Sequence, residues 1–504
     1  MSTLPGIEYR KKSQNSNKIF LKENPVAGFV GVTVKGPLNQ VIRITNFNQF
    51  LQIFGGFDSI GYLPFSVYSF FQNGGKQCHI VRIAHTTGEG AATCAEKFLT
   101  VGDKRVCRLK ARSEGIWGNN ILTNLWHAPQ NRINLTLSIP GFQEDFLDLS
   151  LDNSSDDYFV DRINKKSTLV EAIADKKVFG GTSVDELYNS YFCGGREGLA
   201  SLAPSDIIGR IKSPSDKTGL MLLESVLDIN LLAIPDTALF KKISDVRIVH
   251  QALINHVENN DGRFALLDVS GKLDLLEVIE YRKKLNSSKA ALYYPDLKVI
   301  DPTDQKVFSL PPSCAMAGII SDTDLKYGCY YPPGNRFIEG AVALSRPLDK
   351  EEMETLYGEG INIFCKIPGR GIKIWGVRTL ADSPQWRFIN VRRTMSFLSA
   401  AIKKGTAWAV FEPNNVDLQK KLIRHVTAYL IDVWRKGYLA GKTPEEAFFV
   451  RCDKELNPSE NIDAGILTLE VGLCVVKPAE YIVVTLHAEK EHTKVIIDEE
   501  VIHG

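Results

Sequence analysis

NIDAGILTLEVGLCVVKPAEYIVVTLH, residues 461–487, contains two segments with the pattern of β-strands. In the first, LTLEVGL at 467–473, apolar residues alternate with polar or small ones, which predicts a strand with one buried face. Pro478 interrupts the pattern because proline has no backbone N–H for a sheet hydrogen bond. The second segment, YIVVTL at 481–486, is dense in β-branched and aromatic residues, which predicts a final strand.

Two strands are marginally stable in water and leave both sheet edges unpaired. We therefore expect another segment to complete this sheet, and the extended arm at the other end of the chain is the candidate. That segment would come from the same copy or from a neighbouring one. The residues predicted to take part in such strand exchange are Gly6, Ile7, Glu8 and Tyr9 in the arm, and Tyr481, Ile482, Val483, Val484, Thr485 and Leu486.

The middle of the chain alternates between predicted strands and helices. Strands are expected at 229–234, 264–269 and 290–294, with helices at 240–257 and 273–285 between them. Alternation with short connections predicts a parallel sheet with right-handed crossovers. The same α/β pattern occurs nearer the start, with a strand at 29–34, helices at 47–54 and 63–73, and a strand at 79–83.

The remaining segments predict an insert and a final domain. Short alternating runs between about 106 and 160 indicate an antiparallel β unit, followed by a helical segment at 158–175 and a linker near 180–216. In the final domain, strands at 362–367 and 372–377 flank a turn, and Asn414 is the expected cap of a helix from Val416 to Lys436.

These patterns predict a multidomain α/β and α+β protein, because one hydrophobic core rarely serves 504 residues. The expected divisions are an extended arm at 1–25, an α/β middle domain at 26–105 and 206–334, an inserted β-rich outer domain at 106–205, and a core domain at 335–504 that both chain termini build.

Composition excludes several classes of protein. A formal net charge of +1 creates no overall field that would attract nucleic acid or an anionic membrane. No apolar run is long enough for a transmembrane helix, and the first residues lack the apolar stretch of a secretion signal. Nine cysteines without C-x-x-C spacing indicate reduced thiols in a protein made in the cytoplasm.

Three carboxylates provide an enzymatic alternative. Asp236, Asp268 and Asp296 each lie at or just past the end of a predicted parallel strand, where open α/β sheets bind ligands. Together they could hold a divalent cation and hydrolyse a phosphate ester. The competing interpretation is that they cap helices or fix turns, and no activating lysine, histidine or cysteine accompanies them.

No other motif predicts a cofactor. The segment GYLAGKT at 437–443 has three residues between its first glycine and the Gly-Lys pair, where a phosphate-binding loop needs four. Gly437 is better interpreted as a helix C-cap, with Thr443 and Pro444 beginning the next helix. The histidines show no paired metal-binding spacing, so neither a metal nor a cofactor is expected.

The helix predicted from Val416 has one apolar stripe and an opposite basic side with Lys420, Lys421 and Arg424. This side is either an ordinary solvated surface or a docking face for a partner protein.

Short motifs along most of the chain resemble those of the contractile phage tail sheath proteins, and they occur in the same order as in that family. The motifs are AGFVG (27–31), GP (36–37), FGG (54–56), WGN (117–119), LAIPD (232–236), YYP (293–295), DP (301–302), PGRG (368–371), WGVRTL (375–380), VRR (391–393), FEPN (411–414), FVRCD (449–453) and KPAEY (477–481).

The resemblance implies a structural subunit, without a cofactor, of a helical sheath that contracts around an inner tube and drives it through a target envelope. Implied partners are other copies of the chain in stacked hexameric rings, the inner tube protein, baseplate and terminator or cap proteins, and paralogous sheath subunits. Neither nucleic acid nor membrane insertion is implied. The helix with Lys420, Lys421 and Arg424 would face the tube. The assembly would be a virion tail, a tailocin or a released extracellular contractile particle.

Two features leave alternatives open. Residues 488–504 extend beyond the usual last strand of the family, which leaves open which terminal segment is exchanged. A baseplate or adaptor protein with the same core that does not contract is a second structural interpretation. The metal-dependent phosphoesterase built on Asp236, Asp268 and Asp296 is the third.

Overall fold

The computed structural model describes residues 25–57, 60–101, 104–129, 132–174, 188–213 and 216–480. Within these ranges the chain forms two compact units. We call residues 25–326 and 333–389 the body unit, and residues 327–332 and 390–480 the terminal unit. The exchange residues expected at 6–9 and at 481–486 lie outside the described residues.

The body unit begins with α/β structure. Its first elements are β1 (Val26–Gly31), β2 (Val41–Ile44), α1 (Phe47–Phe54), α2 (Leu63–Gln72) and β3 (Cys78–Arg82). The apolar spacing predicted both helices, and α1 has the predicted bounds. Asn46 caps α1 by accepting a hydrogen bond from the backbone N–H of Gln49.

An antiparallel β insert follows. Its elements are β4 (Glu96–Val101), β5 (Lys104–Ala111), β6 (Leu122–Ala128), β7 (Arg132–Ile139), β8 (Phe142–Ser150), α3 (Phe159–Lys166), β9 (Val170–Ala174) and β10 (Tyr188–Tyr191). The strands form a three-stranded sheet, β4-β5-β9, and a four-stranded sheet, β10-β6-β7-β8.

Two predictions within the insert are corrected. The helix expected over 158–175 ends at Lys166, and the residues after it turn into β9, which pairs with β5. The segment expected to be a linker contributes β10, which pairs with β6. Both strands are short, and their pairing partners lie far away in the sequence, so a local pattern contains little information about them.

The chain then returns to the α/β part of the body unit. The elements are α4 (Pro204–Ile208), β11 (Ile211–Ser213), β12 (Asp216–Lys217), β13 (Ile229–Ala233), α5 (Ile243–Asn259), β14 (Phe264–Asp268), α6 (Leu275–Lys283), β15 (Ala290–Tyr294), β16 (Leu297–Ile300), β17 (Val307–Leu310), α7 (Ser313–Tyr327), β18 (Ala341–Leu344), α8 (Lys350–Gly358), β19 (Ile361–Ile367) and β20 (Gly371–Trp375).

An eight-stranded sheet in the order β2-β3-β1-β13-β14-β15-β19-β20 organises the body unit. The strands from β3 to β19 run parallel, and β2 and β20 are antiparallel strands at the two edges. Successive residues of the central strands enter different cores: Leu266 packs on one face and Leu267 on the other. Helices therefore cover both faces, as a parallel sheet requires.

The boundary before the last unit differs from the expected one. The sequence placed the start of the final domain at 335, whereas residues 333–389 belong to the body unit. The reason is the parallel pairing of β19 with β15, which adds the hairpin of β19 and β20 to the large sheet.

The terminal unit is mostly helical. It contains α9 (Ile389–Thr406), α10 (Val416–Arg435), α11 (Pro444–Ala447), β21 (Phe448–Arg451), α12 (Ser459–Asp463) and β22 (Glu470–Leu473). Its core joins Leu398 of α9 to the predicted apolar stripe of α10, which includes Val426, Leu430 and Val433. Among the described residues, no helix is both long and apolar enough to cross a membrane.

Candidate functional site

The terminal unit presents the basic helix face that the sequence predicted. Lys420, Lys421 and Arg424 are exposed on α10, while Leu418 and Leu422 of the same helix are buried. Because residues three or four positions apart share a helix face, the three cations form one continuous patch. The structure thus places the cations together on the surface.

The cap of α10 is Asn415, and the prediction of Asn414 was wrong by one residue. The side chain of Asn415 accepts a hydrogen bond from the backbone N–H of Leu418 at 3.0 Å. Asn414 instead donates from Nδ2 to the carbonyl oxygen of Ile466 at 3.2 Å. Two adjacent asparagines are equivalent in a local pattern, and only the packing of the loop distinguishes them.

The loop before α10 exposes apolar side chains that the sequence analysis did not single out. Phe411 is 103% exposed and Val410 is 63% exposed, and Val416 and Ile466 are also exposed. Behind them, Trp408 donates from Nε1 to Nδ1 of His425 at 3.1 Å and stacks on its ring. We call residues 408–411 the apolar tip. The sequence feature that could have identified this exposed loop is the FEPN motif at 411–414, which begins with Phe411.

The second feature of the terminal unit is a two-stranded sheet. β21 and β22 form a two-stranded antiparallel sheet, in which Phe448 pairs with Leu473. Leu469, Val471, Leu473 and Val475 face the core of the unit but are only partly buried. The alternation at 467–473 predicted a strand, of which the structure forms residues 470–473, and the described residues supply no third strand to this sheet.

The three carboxylates expected at the strand ends lie in the body unit and have different roles. Asp236 is fully buried; its Oδ2 accepts from the backbone N–H of Val32 at 2.5 Å, and its Oδ1 accepts from that of Tyr62 at 2.6 Å. Burial raises the pKa of Asp236 to about 6, although these backbone hydrogen bonds act in the opposite direction. Both oxygens are occupied, so Asp236 is a structural clamp.

Asp268 and Asp296 line a cavity of about 490 Å³ at the carboxyl edge of the sheet. Burial raises the pKa of Asp268 to about 8 and also raises the pKa of Asp296. Among the described residues, no group of three or more His, Cys, Asp or Glu side chains is arranged to hold a metal ion. The arrangement gives no support to the metal-dependent phosphoesterase.

The segment GYLAGKT at 437–443, which resembles a phosphate-binding loop, is a helix end, as predicted. Gly437 has a φ of 85° just after α10, and its N–H donates to the carbonyl oxygen of Trp434 at 2.9 Å. The next helix, α11, begins at Pro444. This segment therefore has the geometry of a C-cap followed by a new helix.

The body unit is built on a large α/β sheet, and the terminal unit carries a two-stranded sheet and an exposed basic helix face, an arrangement typical of a structural protein. Two family models match the chain without a break between them: the phage tail sheath protein central domain at residues 223–380 and the phage tail sheath C-terminal domain at residues 381–489. Together they span more than half of the chain. The protein belongs to the phage tail sheath family, whose members are structural proteins and not enzymes.

Individual relatives agree with the family models. A prophage major tail sheath protein of Pseudomonas aeruginosa is 27% identical over 281 residues, which are 55% of this chain and 70% of that protein. The tail sheath protein of Escherichia phage P2 is 24% identical over 342 residues, which are 64% of this chain and 80% of that protein.

Solved structures share the fold over almost the whole chain. The sheath of an extracellular contractile injection system, PVC, in its contracted state has a TM-score of 0.60 at 20% identity and covers 97% of this chain and 99% of that one. The helical sheath of the anti-feeding prophage in its contracted state also has a TM-score of 0.60, at 22% identity, and covers 97% and 100%. The resemblance seen in the sequence motifs and the predicted fold class are thereby confirmed.

Proposed function

We propose that this chain is the subunit of a helical sheath that surrounds an inner tube, contracts to drive the tube through a target envelope, and is tied to its neighbours by exchanged terminal strands. Two fold neighbours are sheath structures in a contracted state. The protein would be made in the bacterial cytoplasm and would act in a virion tail or a released contractile particle.

The edges of β21 and β22, to which the described residues add no further strand, carry this proposal. A two-stranded sheet is marginally stable by itself, and the partly buried row from Leu469 to Val475 leaves apolar surface accessible. An added strand would pair the exposed backbone groups and cover this surface. Strand addition tolerates sequence variation because main-chain hydrogen bonds provide most of the affinity.

The proposed added strands come from the chain termini. Gly6, Ile7, Glu8 and Tyr9 belong to the arm at residues 1–25, and Tyr481, Ile482, Val483, Val484, Thr485 and Leu486 follow the KPAE turn. Exchange between copies would link the subunits through arms while their bodies changed position. Body contacts that improve during contraction would supply the energy of the stroke, and no nucleotide would be needed.

The basic face of α10 is the proposed tube contact. Lys420, Lys421 and Arg424 would meet an acidic surface of the tube protein, and such charge pairs set register and association rate more than affinity. Head-to-tail contacts that do not close generate a helix, here one of stacked hexameric rings. Baseplate proteins, a terminator or cap protein and paralogous sheath subunits would be the further partners.

Electron microscopy of the concentrated chain tests the proposal. We expect long hollow tubes of uniform width, formed without a partner. A variant that lacks residues 1–12 should remain folded and monomeric, and a variant that carries the same twelve residues in scrambled order controls for chain length. Single particles from the intact chain would favour the adaptor interpretation, and long tubes from the truncated chain would overturn exchange of this arm.

A further inference from the structure

A cavity of about 490 Å³ lies in the body unit where β14 and β15 end. One wall is apolar and includes Phe240 and Leu273. The lining also contains Asp268, Ser270 and Asp296, together with Lys241 and Lys272, and the charge of Lys272, whose side chain is exposed, acts to lower the pKa of Asp296. This combination of an apolar wall with a few convergent polar groups is typical of small-ligand sites.

Each of the two carboxylates presents an unsatisfied oxygen. Asp268 is 4% exposed and Asp296 is 8% exposed. One oxygen of each is occupied: Asp268 Oδ1 accepts from the backbone N–H of Ser313 at 2.8 Å, and Asp296 Oδ2 accepts from that of Gly271 at 2.9 Å. Asp268 Oδ2 and Asp296 Oδ1 have no hydrogen-bond partner of normal geometry among the described residues, although the Ser313 side chain acts on Asp268 to lower its pKa.

Buried acceptors without a donor are unfavourable, which indicates that a donor group belongs in the cavity. A divalent cation is a poor fit, since calcium takes six to eight oxygen ligands and no third acidic side chain joins the pair within the described residues. A primary ammonium group is a better fit. It has three N–H donors, and Asp268 Oδ2, Asp296 Oδ1 and the hydroxyl of Ser270 are three candidate acceptors.

The geometry points to a binding site for a primary ammonium group carried on a short apolar stem, with Asp268 and Asp296 as its acceptors and the apolar wall beside the stem. Burial raises the pKa of Asp268 to about 8, and the arriving cation would favour its ionised form and release a proton. The site is independent of the tube contact and of strand exchange.

Two sources can provide this chemistry. One is a lysine side chain of a second copy, inserted when subunits assemble, and this source rests on the proposed function. The other is a free alkylamine. Both place the same ammonium group on a stem of a few methylenes, so one probe represents both.

Calorimetric titration of the full chain with n-butylammonium at pH 7, where Asp268 still carries its proton, tests the site directly. We expect saturable binding and, in buffers of different ionisation enthalpy, a released proton. n-Butanol, which has the same stem without the charge, should not bind. Asp268→Asn and Asp296→Asn should each weaken binding about tenfold or more, because each removes a charge-assisted hydrogen bond. Asp432→Asn, on the exposed side of α10, is the matched control.

The proposal is overturned if butylammonium does not saturate, if n-butanol binds equally well, or if both asparagine variants bind normally. The comparison of the two probes needs no variant, so a folding defect in either variant leaves the test intact. Saturating butylammonium would block tube formation if a neighbour's lysine is the natural occupant and leave it unchanged if the occupant is a free amine. A chain that never forms tubes would contradict the proposed function without affecting the calorimetry.

Discussion

Asp236 joins two distant parts of the body unit by accepting a hydrogen bond from the backbone N–H of Val32 at 2.5 Å, just past the end of β1. Its other oxygen accepts from Tyr62, one residue before α2. A side chain at Gly31 would place its Cβ 2.3 Å from Asp236 Oδ2, so the adjacent glycine is required for this approach. One buried carboxylate thus fixes β1 and α2 beside the end of β13.

Replacing Asp236 should therefore destabilise the body unit. In Asp236→Asn the amide has one acceptor oxygen, and one of the two backbone N–H groups faces an amide nitrogen. We expect a loss of about 1–3 kcal/mol in the free energy of unfolding at pH 7.5. Chemical denaturation of the monomer measures it, with Asp432→Asn as the exposed control. Equal stability of the two variants would show that the clamp contributes little.

Asp268 should make stability depend on pH in the opposite direction from an ordinary salt-bridged acid. Its pKa is raised from 3.8 to about 8 in the folded protein because it is buried. The folded state therefore holds a proton that the unfolded state has lost, and stability should fall as the pH rises from 4 to 8.

The comparison of Asp268→Asn with the unmodified chain isolates this effect. The stability of the variant should not show this decline. Its free energy of unfolding should therefore increase relative to that of the unmodified chain as the pH rises, by up to about 1.4 kcal/mol for each pH unit within that window. Melting temperatures between pH 5 and pH 9 provide the measurement. Parallel pH profiles for the two proteins would mean that Asp268 is ionised in the fold.

Local sequence patterns correctly predicted the helices and strands that are defined by the spacing of their own apolar residues. β15 lies at 290–294 and α1 at 47–54 as expected, because their apolar residues define them completely. The boundary at 335 and the helix at 158–175 differ because β19 and β9 are defined by partners far away in the chain. The sequence located the three acids at strand ends, but only packing shows that Asp236 is saturated while Asp268 and Asp296 face a cavity.

Cysteine reactivity can report on the strand pair. Of the nine cysteines, Cys193 in the insert and Cys474 beside β22 are exposed. If an added strand covers β22, Cys474 should react with a maleimide in the monomer and become protected in assembled tubes, while Cys193 stays reactive. Mass spectrometry of the labelled peptides measures both thiols in one sample. Equal labelling of Cys474 before and after assembly would contradict strand addition at this edge.

Phe411 should contribute to assembly and not to the stability of the monomer. Its side chain is completely exposed, and its φ of 69° is unfavourable for a bulky residue. Phe411→Asn should raise the free energy of unfolding by about 0.5–1 kcal/mol, since asparagine tolerates this conformation, and should reduce assembly. Leu227→Asn, which changes another exposed apolar residue, is the control. Normal assembly of the Phe411 variant would exclude the apolar tip from the contacts.

Charge reversal on α10 separates tube binding from self-assembly. Lys420→Glu, Lys421→Glu and Arg424→Glu combined should leave the fold intact, because all three side chains are exposed. We expect the variant to form tubes by itself but to lose co-sedimentation with preformed inner tubes. The binding of the unmodified chain should weaken as salt is raised, because exposed charge pairs are screened.

The matched control lies at the other end of the same helix, where Arg435→Glu and Lys436→Glu reverse two exposed cations. This variant should retain tube binding if the contact is confined to the patch around Lys420. A triple variant that binds inner tubes normally would show that this helix face does not contact the inner tube. A triple variant that no longer self-assembles would instead assign the patch to contacts between copies, because the fold itself does not depend on these three charges.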